Sequence, residues 1–302
     1  TRGFTMAELA KTQTTTKSTV AKAQKPQKMH RGPGILTYVA LGIIVFLSAF
    51  PFYWMFVVAS NDTSAMNAVP PAFVPGGNFL TNVQAVFDRT PFGNALLNSA
   101  IVATAVAITQ TLFSAMAGFA FAKMSFPLRN TLFVIVVGSM MIPLQLGVVP
   151  QFLIISELGW MNSLIAVIVP GLVTAFGVFW MRMHIASAVP DEVLQAAKVD
   201  GAGTFRTFWS LVLPMIRPAA AILALFAFLA AWNDFFWPLI VLQTPDSWTA
   251  QVALRQVQSS AYITDFGVQF AATVIATLPL LIISIIMGRQ LVRGIMEGAV
   301  KG

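Results

Sequence analysis

Six stretches of this chain are apolar, nearly free of charge and long enough to cross a bilayer as helices. They run over about Ile35–Ala59, Leu96–Ala122, Thr131–Ile155, Ser163–Ile185, Pro218–Leu242 and Gly267–Leu291. A hydrocarbon core about 30 Å thick is spanned by roughly 20 helical residues. Only 10% of the 302 residues are charged, against about 25% in an ordinary soluble domain. So few charges cannot cover an outer surface, and lipid must be the solvent for much of the chain. Barrel strands would be half as long and would alternate in polarity, so helices are the spanning elements. The expected fold is an all-α integral membrane protein with about six transmembrane helices.

The basic residues set the topology. The first 34 residues hold seven Lys and Arg, the second loop holds Lys123 and Arg129, and the fourth holds Arg182, Lys198, Arg206 and Arg217. Arg289, Arg293 and Lys301 follow the last span, whereas the alternate loops hold only Arg89 and Arg255. Sixteen against two places both termini and the fourth loop in the cytoplasm. The net charge of +7 is therefore what insertion requires, and no nucleic-acid partner is expected. Residues 1–34 lack apolar periodicity and read as a disordered cytoplasmic tail, with Met6 a possible natural start. Residues 35–302 read as one six-helix transmembrane domain. The first span is too long and too far from the start to be a cleaved signal.

Several chemistries are excluded. With no cysteine there is no disulfide, cluster or thiol catalysis, and His30 and His184 form no metal-ligand group. No G-x-x-x-x-G-K-[ST] occurs, so ATP has no ordinary phosphate loop here. Asp234 is the single acidic residue inside a span, where charge is costly. It reads either as a carboxylate hydrogen-bonded with Asn233 to a neighbouring helix, or as part of a solute route. Trp232 and Trp237 read as membrane-interface anchors or as stacking platforms. Met140, Met141 and Pro143 read as a kink or packing gap rather than a gate. In the second span Ala103, Ala107, Ser114, Gly118 and Ala122 form a small-residue face, for packing within the subunit or against another.

The fourth loop, about residues 186–217, has legible local physics. Pro190 suits a first helical position, and Asp191 and Glu192 complement the helix dipole. Gly201 should end that helix in a left-handed conformation. Thr204 would cap a second helix, Phe205 to Leu213, halted at Pro214. Phe205, Phe208, Trp209 and Val212 give it an apolar face to lie on the membrane domain. The pair is either an amphipathic connector or a docking knob on which small Ala196, Ala197, Gly201 and Ala202 admit a partner.

Ala196, Ala197, Asp200, Gly201, Ala202, Leu213, Pro214 and Pro218 resemble the E-A-A-x-x-D-G-A…L-P motif of binding-protein-dependent ABC importer permeases. Gln195 stands where that motif has Glu, leaving Glu192 one turn earlier. Trp232-Asn233-Asp234-Phe235-Phe236-Trp237-Pro238-Leu239 is similar to the W-N-[DE]-F-x-W-P-L of carbohydrate-uptake permeases. Arg293-Gly294 with Gly298, Ala299, Val300, Lys301 and Gly302 resembles the ending of their MalG-like subunit. Pro51-Phe52-Tyr53-Trp54 and Leu97-Asn98-Ser99 match two further signatures. The resemblance covers the chain from Ile35 onward.

It implies a type I ABC importer permease with a cytoplasmic coupling-helix loop. The partners implied are a second, MalF-like permease, two ATPase subunits that hold ATP and Mg, and an extracytoplasmic solute-binding protein. No cofactor and no catalytic activity are implied for this chain. The loop residues above would contact an ATPase, as would the tail Gly298–Gly302, and transport would proceed by alternating access. The solute would be a sugar, polyol or glycerol phosphate, with Trp232, Asn233, Asp234 and Trp237 as the residues marked for its route. The rival class is an ion- or proton-coupled secondary transporter working alone, which would need ionisable residues near the midplane beyond Asp234.

Overall fold

The computed structural model describes residues 34–259 and 265–299, which contain helices, turns and loops and no strand. Two compact units meet in sequence at Phe50 and Pro51. In the first, Gly34 accepts hydrogen bonds from the amides of Thr37 and Tyr38 and so opens α1 (Ile35–Ser60), whose side chains from Ile35 to Phe50 are all exposed. Pro51 lies inside α1.

In the second unit, α1 ends at Ser60 and is followed by α2 (Thr63–Asn67) and the amphipathic α3 (Phe79–Arg89). The long α4 (Phe92–Lys123) is the central element. It packs along its length against α8 (Ala175–Ala188) on one side and α11 (Arg217–Asn233) on another. The small residues of α4 explain that position. Ala103 and Ala107 are buried against Ala227, Phe228 and Trp232 of α11. A Cβ on Gly118 would lie 2.7 Å from the Arg182 backbone nitrogen of α8, and one on Gly177 would strike Ser114 Oγ. The small-residue face is thus spent on packing within this chain. The last span, α14 (Phe266–Ala299), packs on α3, α11 and α13 (Ala250–Ser259).

Three of the expected spans are uninterrupted helices: α1, α4 and α14. The other three are broken. Thr131–Ile155 is two helices, α5 (Arg129–Ser139) and the segment Leu144–Glu157, which ends in α6 (Val148–Glu157), bent by 95°. The break falls at Met140–Pro143, where the amides of Met140, Met141 and Ile142 bond three residues back instead of four and Pro143 offers no donor. Ser163–Ile185 is Ile165–Gly171, whose first turn is α7 (Ile165–Ile168), and α8, bent by 42° with Thr174 capping Gly177. Pro218–Leu242 is α11 followed by α12 (Phe236–Val241), separated at Asp234 and Phe235.

The signature residues tie the spans to their connecting loops. Asn98 Nδ2 donates to the carbonyls of Asp246 (2.9 Å) and Trp248 (3.0 Å), and Ser99 Oγ accepts the Ala250 amide (2.8 Å) that opens α13. Tyr53 donates its hydroxyl to the Phe73 carbonyl (2.7 Å), beside the contact of Trp54 with Phe73. Asn162, held at φ 60°, accepts the amides of Gln243 and Thr244 and so ties the turn before α7 to the end of α12.

Candidate functional site: the paired-helix loop

Within the loop, α9 (Asp191–Val199) and α10 (Thr204–Met215) form the expected helix pair, with small shifts at the caps. Pro190 is the N-cap of α9, one residue before the first helical position, and Asp191 and Glu192 fill its first turn. Gly203, not Thr204, caps α10, and Thr204 is its first helical residue. Gly201 takes φ +73°, as its place at the helix end requires. The Ala202 amide then reaches the Ala197 carbonyl (2.9 Å) and the Gly201 amide the Lys198 carbonyl (3.0 Å), the paired bonds that close a Schellman end.

The second helix passes through Pro214 and ends after Met215. A widened π turn over Phe208–Val212 precedes the proline and absorbs its missing donor. α10 then meets α11 at an 83° bend. Its apolar face is half buried. Phe208 and Val212 join a core of Ala115, Phe119, Met181, Ile185, Val189, Ile216 and Leu223, whereas Phe205 and Trp209 are exposed. The expected face is therefore narrower than its four residues, because only those two reach α4 and α8.

This core makes a pedestal for α9. Leu194 packs on it, and Ala197 is buried within the chain at 5% exposure, which removes it from any outward contact surface. Lys123 at the end of α4 binds the Asp191 carboxylate at 2.7 Å and fixes the start of α9. The outward face holds Glu192, Gln195, Ala196 and Val199, all exposed, at the i, i+3, i+4, i+7 spacing of one helical stripe. Val199, 88% exposed, is the member that reading by motif passed over, although its spacing from Glu192 was visible. Asp200 and Gly201 are exposed beside it, Ala202, Leu213 and Pro214 are partly covered, and Glu192 shares the stripe with the Gln195 that replaces the motif Glu.

The residues marked for the solute route lie elsewhere, at the α11–α12 break. Trp232 is buried, stacks on Phe228 and donates to the Ala276 carbonyl of α14 (3.2 Å). Trp237 is buried and donates to the Ala166 carbonyl of α7 (2.9 Å). Both indoles are internal pins between helices, neither interface anchors nor stacking platforms. Asn233 bonds its own helix at Leu229, and Asp234 accepts the Trp237 amide (3.4 Å) at the start of α12, so both bonds stay within the α11–α12 segment. Gly298 and Ala299 are the last residues of α14; Val300, Lys301 and Gly302 lie outside the described residues, as do residues 1–33.

Among the described residues no group of acidic or histidine side chains could hold a metal ion. Residues 110–297, which include both helices of the pair, match the family model described as the binding-protein-dependent transport system inner membrane component. The chain belongs to that family. As such a permease component it has curated relatives of nearly its own length. The sn-glycerol-3-phosphate transport system permease protein UgpE of Yersinia pestis bv. Antiqua (strain Antiqua) is 31% identical over 274 residues, covering 88% of this chain and 97% of the relative. The lactose transport system permease protein LacG of Rhizobium radiobacter is 32% identical over 271 residues, covering 90% and 97%. The fold matches a chain from the crystal structure of a bacterial ABC transporter involved in the import of the acidic polysaccharide alginate. The TM-score is 0.75 at 19% identity, over 96% of this permease and 99% of that chain.

Proposed function

We propose that this permease forms half of the translocation pathway of an ATP-driven sugar importer and takes its drive through the exposed stripe of α9. The observation that carries the proposal is the stripe itself: Glu192, Gln195, Ala196 and Val199 stand outward on a helix whose other side is anchored to the core. A surface connector has no need of such bracing. A lever does, because a displacement applied at α9 must reach α4, α8 and α11 without being lost in the loop. Nucleotide-driven movement of an ATPase against this stripe would pass through Phe208 and Val212 into the spans and rock the permease between its two access states.

The partners in this reading are a MalF-like second permease, two ATPase subunits carrying ATP and Mg, and an external solute-binding protein. This chain hydrolyses nothing itself. The termini and the loop of residues 186–217 are cytoplasmic, residues 1–34 are a basic leader, and Gly298–Gly302 reach toward the ATPase. A sugar or sugar-like solute is supported by the lactose and glycerol-3-phosphate relatives and by the W-N-D-F-F-W-P-L stretch. Of the four residues marked for the solute route, the exposed Asn233 and the partly covered Asp234 are the two left for solute contact. Gentle purification from the native membrane tests the assembly. An ATPase, a second permease and a binding protein should accompany the chain, and proton-driven uptake by the chain alone would overturn the reading.

A further inference from the structure

An apolar hollow of about 260 Å³ opens beside the paired-helix loop, lined by Met116, Phe119, Met124, Thr204, Phe205 and Phe208. Phe119 and Phe208, with rings 5.9 Å apart, are buried and form its floor. Met116, Met124 and Phe205 are exposed and form its rim, Phe205 at 65%. An open hollow of this composition facing water would be a standing cost of exposed apolar surface.

Its surroundings say what covers it. Arg129 donates from Nη1 to the Met124 carbonyl at 3.0 Å, so one guanidinium is fastened to the rim. Arg129 makes no ion pair among the described residues. The carboxylate that touches this end of α4, Asp191, is already engaged by Lys123. Methionine at the rim adds adaptability, since its unbranched thioether fills irregular apolar space. An apolar slot with one uncompensated guanidinium fastened at its rim, where a long membrane helix gives way to polar sequence, is complementary to a molecule with an acyl chain and an anionic phosphate.

We propose that this hollow binds one anionic phospholipid, its acyl chain against Phe119 and Phe208 and its phosphate on Arg129. Which leaflet supplies the lipid rests on the cytoplasmic placement of the loop proposed above; the binding chemistry does not. Because Thr204, Phe205 and Phe208 belong to α10, the bound lipid would stiffen the pedestal of α9.

The test uses the full-length chain, purified both alone and with its co-purifying subunits, in nanodiscs of phosphatidylcholine with a small fraction of phosphatidylglycerol. Native mass spectrometry counts the lipids that remain bound. One phosphatidylglycerol should be retained in preference to phosphatidylcholine in both preparations. A basic residue near the phosphate contributes a factor of about five, so Arg129→Gln should lower the preference by about fivefold. A second variant, Met124→Trp, fills the rim without changing charge and should also release the lipid. Abundance and helical circular dichroism matching the wild type show that both variants are folded. Equal retention of the two lipids, or an unchanged preference in the charge variant, overturns the proposal. So does a lipid held by the lone chain but absent with the subunits in place, which would assign the hollow to a protein partner. Failure to recover an ATPase would sink the importer reading while leaving these lipid counts interpretable.

Discussion

At the scale of single residues, Ala196 and Ala197 are neighbours with opposite surroundings. Ala197 is buried in its own chain, whereas Ala196 is exposed on the outward stripe. Ala197→Asp would bury an unpaired carboxylate at a cost of several kcal/mol. It should lower membrane abundance and thermal stability before any effect on coupling can be read. Ala196→Asp buries nothing in the free chain, so abundance should match the wild type while solute-stimulated ATP hydrolysis by the assembled complex falls at least tenfold. Gly201 gives a second test. A Cβ there meets nothing within 4 Å, so only its φ of +73° penalises substitution. Gly201→Val should cost about 1–2 kcal/mol locally and uncouple the complex. Gly201→Asn, which tolerates the left-handed region, should keep most of the stimulation.

At the scale of elements, α4 is fixed by close approach and α11–α12 by two indoles. Gly118→Ala would drive a Cβ against the backbone of Arg182 and should cost about 1–3 kcal/mol, read as a lowered melting temperature in detergent. Gly138→Ala in α5 meets nothing within 4 Å and should be neutral or slightly stabilising. Trp237→Phe removes the bond to Ala166 and should lower stability by about 1 kcal/mol or more without altering which solute is transported. A change of solute preference in that variant would restore the indole to the transport route. The spans, the helix pair and the Gly201 turn were legible because apolar length, Pro and Gly act locally, whereas each N-cap of the pair fell one residue from the expected place. Met140 to Pro143 marked a break, but its 95° angle depends on neighbours that no local pattern names. The indoles misled for the same reason. Tryptophan beside a polar break reads as an interface residue until the carbonyls of Ala276 and Ala166, 44 and 71 residues away, are seen to receive its donor. Lys123 and Asp191 were equally silent, being 68 residues apart in sequence and 2.7 Å apart in space.

At the scale of the whole molecule, the proposed function makes the permease a membrane body with one braced lever and places its motor in another chain. Reconstituted alone in vesicles, it should give no solute uptake with either ATP or a proton gradient. The absence of cysteine from the chain makes contact with that motor directly measurable. Ala196→Cys and Val199→Cys each introduce a unique thiol on the stripe, and Leu80→Cys places one on exposed α3 as a control. A short maleimide–succinimide linker added to membranes that contain the native subunits would join each thiol to any lysine within reach. Ala196→Cys and Val199→Cys should yield an adduct containing an ATPase subunit, and Leu80→Cys should not. No ATPase adduct from either stripe position, in complexes that still hydrolyse ATP, would contradict the assignment of α9 as the coupling element.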